Sequence, residues 1–174
     1  MRLVVVNLFL DRDGTLIRDV GYIAHPEQIE FLSGAISGLK EFNKMKFRLH
    51  LVSNQSGVGR GIISMDQFLK VEHEFESILK INSIVLHSTN FCFHTPTDYC
   101  ECRKPKTGLL TAIESKFDMK KKFTGMIGNS ESDLETARNF GIHYWNIDEK
   151  AEDSFLHQSR LVRNHFERIR ASIE

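Results

Sequence analysis

The sequence has no excess charge of either sign: 23 Lys and Arg stand against 23 Asp and Glu in 174 residues. That balance counts against a surface that wraps a nucleic-acid backbone, which needs clustered positive charge, so no nucleic-acid partner is expected. No apolar run approaches the roughly 20 residues that cross a bilayer as a helix, so no membrane association is expected either. An export signal is missing too. The opening "MRLVVVNLFL" has the apolar look of one, but Asn7 interrupts the run and "DRDG" stands where small residues should mark a cleavage site. Internal repeats and low-complexity tracts are absent, and "KKK" at residues 120–122 reads as a solvated turn. Cysteines number three, all in one short segment, and an odd clustered set argues against a secreted disulfide framework. These absences favour a cytoplasmic protein. Residues 1–174 are most simply one domain, long enough to bury a real core, and a monomer is expected.

What is present alternates between two periods. Residues 3–10 form a near-continuous apolar run that reads as a buried strand. Residues 34–44 carry Ile36, Leu39 and Phe42 at helical spacing, and residues 47–53 ("FRLHLVS") alternate as a strand does. Ser64 suits the N-cap of a helix reaching about residue 80, with Phe68, Val71 and Phe75 on one face. Strands are then predicted over 83–87, 123–127 and 143–147, and helices over 108–117 and 130–139. A tail helix from about residue 153 should pack through Phe155, Leu161 and Phe166. The order predicts an α/β fold with a parallel sheet and helices on both faces. Ligands of such sheets bind beyond the carboxyl ends of the strands.

Four polar motifs fall at those ends or beside them. In "DRDGT", Asp11 and Asp13 lie two residues apart, and an extended chain turns both to one side. Two carboxylates so placed repel unless a cation such as Mg²⁺ holds them. One could attack phosphorus while its neighbour handles the leaving-group proton, with Gly14 permitting the tight turn. "SNQSGVGRG", residues 53–61, places hydroxyl, amide and backbone donors after a strand, which suits an anion. "CRKP" offers Lys104 to neutralise a phosphoryl group and Arg103 to grip a second polar group. "GNSESD" follows a later strand.

Together, "DRDGTL", "SNQ", "RKP" and "GNSESD" resemble the haloacid dehalogenase (HAD) phosphohydrolases over about residues 1–147. The resemblance implies a Rossmann-like three-layer fold with a mainly parallel sheet. It implies Asp11 as the nucleophile that becomes an aspartyl-phosphate, and Asp13 as general acid and then base. Ser53 and Lys104 would hold the phosphoryl group. Mg²⁺ would sit on the Asp11 carboxylate, the Asp13 backbone carbonyl and a residue of the fourth motif.

The cysteine segment "CFHTPTDYCECRKP" supplies Cys92, His94, Cys100 and Cys102, two pairs each with one residue between its members. Three thiols and one imidazole make a closed tetrahedral zinc set, structural because no position stays open for water. Its expected task is to fold an irregular loop and so aim Arg103 and Lys104. This loop joined to "CRKP" looks like the branch holding the D-glycero-D-manno-heptose-1,7-bisphosphate 7-phosphatases and the histidinol-phosphate phosphatases. "DVGYIAHPEQIEFLSGAI" and "SNQSGVGRG" are more similar to the heptose enzymes. That resemblance implies substrate contacts from Asp19, Val20, Gly21 and Tyr22, and from Ser53, Asn54, Gln55 and Ser56. The short length leaves no room for a cap domain, so specificity falls to residues 19–29 and the zinc loop. The implied role is a sugar-bisphosphate phosphatase that supplies activated heptose for surface polysaccharide, including lipopolysaccharide.

Two positions depart from the family pattern. Asn129 stands where an aspartate normally opens the fourth motif, keeping a carbonyl ligand but removing a negative charge, while Asp133 is retained. Thr107 replaces a proline of the third motif and is expected to cap the helix beginning at Gly108. Histidinol phosphate is the first alternative substrate. A nucleic-acid 3′-phosphatase shares the "DxDGT" chemistry but not the charge balance. A weakened, zinc-stabilised binding module is the alternative that Asn129 raises.

Overall fold

The run "NLFL" forms β1, Asn7–Leu10, and every residue in it is buried. Alternation divides its side chains: Leu8 and Leu10 enter one apolar cluster, and Phe9 enters another on the opposite face. A strand buried on both faces belongs at the centre of a parallel sheet. There β1 pairs on one side with β2, Arg48–Asn54, and on the other with β4, Thr124–Gly128. The registers place Leu8 opposite Leu49 and Gly125. Strand β3, Ser88–Cys92, lies outside β2, and β5, His143–Asn146, lies outside β4. The sheet order in this computed structural model, which describes residues 5–172, is thus β3-β2-β1-β4-β5, all parallel.

Helices cover both faces, as the alternation of periods predicts. Helices α1 (Ala35–Lys44), α3 (Met65–Ile81) and α6 (Ser154–Ala171) pack on the Leu8 side, with a single turn, α2 (Ser56–Gly59), between β2 and α3. Helices α4 (Gly108–Glu114) and α5 (Glu131–Phe140) pack on the Phe9 side. Ser64 caps α3 as expected, accepting from the Gln67 backbone at 3.1 Å while Gln67 returns the bond to Ser64. Helix α6 belongs to the core: Phe155 meets Phe42 of α1, and Phe166 meets Phe47 edge-on at 5.9 Å. Gly38 is what lets α1 and α6 approach, since a Cβ there would lie 2.7 Å from the Phe155 ring. Phe42 is fully buried, and truncating such a ring to alanine costs about 3–5 kcal/mol.

The structure corrects several expectations. The third strand is Ser88–Cys92, not 83–87. Ile84 instead drops into the core from the loop, while Val85 remains 58% exposed. The edge position explains this: "STNFC" has a paired neighbour only in β2, so it needs no continuous apolar run. Helix α4 stops at Glu114, three residues early, and Thr107 makes no side-chain cap to it. In α6 the third core residue is Val162, because Leu161 is turned outward. Residues 3 and 4 of the first predicted strand lie outside the described residues.

Topology locates the crevice. From β1 the chain moves to β2 and β3 on one side, then crosses to β4 and β5 on the other. The strand order therefore reverses beside β1, and the carboxyl ends of β1, β2 and β4 open onto one switch point. Among the described residues, no inserted domain covers it.

Candidate active site

Asp11 follows β1 directly, its backbone N–H donating 3.0 Å to the Ile127 carbonyl of β4. The chain then turns tightly. Leu16 and Ile17 donate back to the Arg12 carbonyl at 2.9 and 3.1 Å, and Gly14 adopts φ +77°. Glycine is required twice over, because a Cβ at Gly14 would also overlap the Asn129 amide. Asp13 emerges from this turn beside Asp11, as the two-residue period predicts, and both line one cleft of about 390 Å³.

Lys104 is the electrostatic centre. It is almost fully buried, and its Nζ lies 2.6 Å from Asp11 Oδ1, 2.5 Å from Asp133 Oδ1 and 3.0 Å from the Val52 carbonyl. Three acceptors meet the three donors of an ammonium. Burial opposes its charge, but Asp11 and Asp133 together raise its pKa above the ordinary lysine value. Burial pushes Asp11 up to about 7, against the pull of Lys104 and with help from Asp133 and Asp13. Asp133 caps α5 from beneath: its other oxygen accepts from the Ser130 hydroxyl at 2.6 Å and the Ser130 N–H at 3.1 Å. Asp133 is fully buried and Glu131 exposed, so neither offers a free carboxylate to the cleft.

On the β2 side, Ser53 sits one residue before the end of its strand, almost fully buried. Gln55 Nε2 donates to Ser53 Oγ at 2.9 Å and to Asp13 Oδ2 at 2.5 Å. Asn54 uses both ends of its amide on the Lys104 backbone, accepting from its N–H at 3.0 Å and donating to its carbonyl at 3.1 Å. It therefore fixes the lysine and does not present a free amide. Two glycines of this stretch serve packing: Gly57 lies under the Tyr22 ring, and Gly59 abuts the Phe93 carbonyl.

Of the predicted substrate residues, Asp19, Gly21, Tyr22, Ser53, Asn54, Gln55, Ser56 and Lys104 line the cleft with Asn129. Val20 and Arg103 do not. Val20 is 46% exposed, and Arg103 Nη1 donates 3.2 Å to the His94 carbonyl inside the cysteine loop. Sequence reading missed Thr15, whose hydroxyl lies 3.3 Å from Asp11 Oδ2 and 3.3 Å from Asn129 Oδ1. Its signal was only the "DGT" string.

The oxygen donors fit a hard cation. Asp11 Oδ2 and Asn129 Oδ1 converge on the Thr15 hydroxyl, and the cleft lining sets three carboxylates (Asp11, Asp13, Asp19) against the single ammonium of Lys104. Such a lining favours an added positive charge when an anionic group enters. The cysteine loop has a different donor set. The Cys92, His94, Cys100 and Cys102 ligand atoms all lie within 4.8 Å of one another. Cys92 Sγ is 3.7 Å from Cys100 Sγ and 3.2 Å from Cys102 Sγ, and Cys102 Sγ is 3.4 Å from Cys100 Sγ. A tetrahedron with Zn–S bonds of about 2.3 Å has edges near ~3.8 Å, so the set fits zinc with small adjustment. Cys92 also accepts at its carbonyl from the Gln55 N–H at 2.7 Å, which ties this loop to the cleft.

An aspartate pair at the switch point, a buried lysine bridging to a second buried acid, and this sheet order define a phosphatase of the haloacid dehalogenase type. The comparisons agree. A family described as polynucleotide kinase 3 phosphatase matches residues 7–128. The D-glycero-beta-D-manno-heptose-1,7-bisphosphate 7-phosphatase of Helicobacter pylori strain J99 is 38% identical over 135 residues, covering 76% of each chain. The histidine biosynthesis bifunctional protein of Legionella pneumophila is 36% identical over 140 residues, which is 79% of this chain and 40% of that one. A crystal structure of D,D-heptose 1,7-bisphosphate phosphatase from B. bronchiseptica, complexed with magnesium and phosphate, superposes with a TM-score of 0.79 at 23% identity, covering 90% of this chain and 86% of that one. The chain belongs to this phosphatase family, in the branch shared by the heptose-bisphosphate and histidinol-phosphate enzymes.

Proposed function

We propose that this protein removes the C7 phosphate of D-glycero-D-manno-heptose 1,7-bisphosphate. The observation that carries the reading is the Asp11–Lys104–Asp133 chain buried beside Asp13, on a sequence 34–38% identical to named heptose-bisphosphate phosphatases. An Asp11 oxygen attacks phosphorus as the bond from phosphorus to the C7 oxygen breaks, and Asp13 delivers a proton to that oxygen. Asp13 then takes a proton from water, the water oxygen attacks phosphorus, and the bond to Asp11 breaks to release inorganic phosphate. Lys104 opposes the protonation that burial favours at Asp11 and faces the charge on the transferring group; Ser53 and Gln55 hold Asp13 between the two steps. Mg²⁺, held by the Asp11 carboxylate, the Asp13 backbone carbonyl and Asn129, would neutralise phosphoryl charge when bound. The product would feed activated heptose to surface polysaccharide in the cytoplasm.

Phosphate release from heptose 1,7-bisphosphate, histidinol phosphate and a 3′-phosphorylated oligonucleotide tests the reading. The bisphosphate is expected to have the highest kcat/KM. The lone cationic side chain of the cleft and the neutral chain disfavour the oligonucleotide. A preference for histidinol phosphate moves the assignment to the sister activity.

Zinc on Cys92, His94, Cys100 and Cys102 is the second part of the reading, supported by the clustering of their ligand atoms. Lys104 follows Cys102 by two residues, so the loop is what delivers it. Purified protein should carry about one zinc per chain. Cys100→Ser is expected to lower the thermal midpoint and reduce turnover on the order of tenfold or more through a loosened Lys104. Metal-free protein with unchanged stability and turnover removes zinc from the picture.

Asn129 sets the metal affinity. A neutral carbonyl is a weaker partner for Mg²⁺ than a carboxylate, and Asp133, held by Lys104 and Ser130, does not replace it. Asn129→Asp is expected to tighten Mg²⁺ binding on the order of tenfold in calorimetric titration without substrate. A phosphate analogue should narrow the gap by adding its own charge. Equal affinity of the two proteins without phosphate contradicts this account.

A further inference from the structure

Arg12 stands between the two catalytic aspartates in sequence, yet it is 1% exposed, and it leads the fully buried side chains by volume. A buried guanidinium needs counter-charges. It has two, on opposite ends. Nε and Nη2 donate to Asp13 Oδ1 and Oδ2, each at 3.2 Å, a two-bond fork that fixes the plane of the carboxylate. Nη1 donates 3.2 Å to Oε2 of Glu72, sixty positions along the chain on α3.

Glu72 is an anomaly on its helix. It is buried on the face that carries Phe68, Val71 and Phe75, and its second oxygen, Oε1, has no hydrogen-bond partner among the described residues. Burial raises its carboxyl to about 7 even with Arg12 pulling the other way. A buried ion pair is poor value as a stabilising device compared with an apolar side chain in its place. Among the described residues, the other group that Arg12 engages by hydrogen bonds from its side chain is Asp13.

We infer that Glu72 is a positioning residue for the acid–base step: it anchors Arg12, and Arg12 holds the Asp13 carboxylate in the orientation from which it serves the leaving group. Without Glu72, the guanidinium keeps the Asp13 fork and its place 6.0 Å over the Phe91 ring but loses its anchor on α3. Asp13 then loses its fixed plane, although Gln55 and Ser53 still touch it. Small misplacement of a group that transfers a proton is costly in rate even when substrate binding is intact. The inference rests on the aspartyl-phosphate mechanism proposed above, but not on the identity of the sugar.

The test compares two simple phosphate esters in the pre-steady state, following release of the phenol. Phenyl phosphate has a poor leaving group and depends on the acid; 2,4-dinitrophenyl phosphate leaves unaided. Glu72→Gln, which keeps size and removes the charge, is expected to slow phenyl phosphate about tenfold with KM unchanged, and dinitrophenyl phosphate less than about twofold. Arg12→Lys, which keeps the charge but not the fork, should give the same split, and it serves if Glu72→Gln folds poorly. A merely structural role slows both esters alike. Equal slowing of the two esters, or no slowing of either, overturns the proposal while leaving the phosphatase reading intact. A wild type inactive on both esters overturns that reading and the proposal with it.

Discussion

Asp11→Asn is expected to abolish turnover, by about 10⁴-fold or more, while the fold survives. The loss is chemical: an amide oxygen cannot form the acyl-phosphate, so the first step has no nucleophile. Survival follows from the packing. The side chain is isosteric, and its carbonyl still accepts from Lys104 Nζ, now 2.6 Å from the carboxylate oxygen. The substitution also removes a carboxylate that burial raises to about 7. Lys104 retains Asp133 as its counter-charge. The variant should therefore unfold in urea at a midpoint equal to or above wild type, as activity and stability part company at a strained site. Intact-mass measurement after substrate addition should find phosphoenzyme in wild type and none in the variant. Substantial turnover by Asp11→Asn would refute the covalent mechanism.

The aspartate pair was legible because its chemistry is local. Asp11 and Asp13 follow a buried strand, and the two-residue period alone puts them in one cleft. The cysteine cluster was legible for the same reason, since eleven consecutive residues carry all four ligands. What could not be read is contact across the chain. Glu72 looks like one polar residue in an amphipathic helix, and nothing local reveals that it faces inward to Arg12. Arg103 and Lys104 are neighbours of one charge, yet one turns to the His94 carbonyl and the other into the cleft. Only the fold, through the Asn54 amide on the Lys104 backbone, separates them. The third strand failed for an energetic reason. Apolar content marks strands buried on both faces, and Ser88–Cys92 is a polar edge, while Ile84 and Leu86 before it pack on the core from a loop.

Lys104→Met is the variant expected to damage both stability and rate. Methionine fills the buried volume but leaves Asp11 and Asp133 facing each other without the ammonium that now lies 2.6 and 2.5 Å from them. Breaking a buried pair from one side costs about 3–5 kcal/mol, because the remaining charge is desolvated and unpaired. Protonation relieves part of this, which fixes the sign of the pH dependence. Asp11 is already raised from 3.8 to about 7 in the native state, with Lys104 among the influences that hold it down. Removing that restraint raises it further. A carboxyl raised on folding stabilises the native state fully below its unfolded pKa, and that contribution is lost as pH rises through the folded value. The variant should thus approach wild-type stability near pH 4–5 and fall farthest behind above pH 7. Urea unfolding at pH 5 and pH 8 measures the difference directly. Turnover at pH 8 should drop about 10²–10³-fold, the range for removing one fixed charge from a developing transition state. Adding Mg²⁺ should recover part of the stability, since a cation beside Asp11 replaces some of the missing charge, but little of the rate. Suppose instead that Lys104→Met unfolds like wild type at both pH values and still turns over. Then Asp11 and Asp133 do not depend on the ammonium, and the electrostatic centre of the site lies elsewhere.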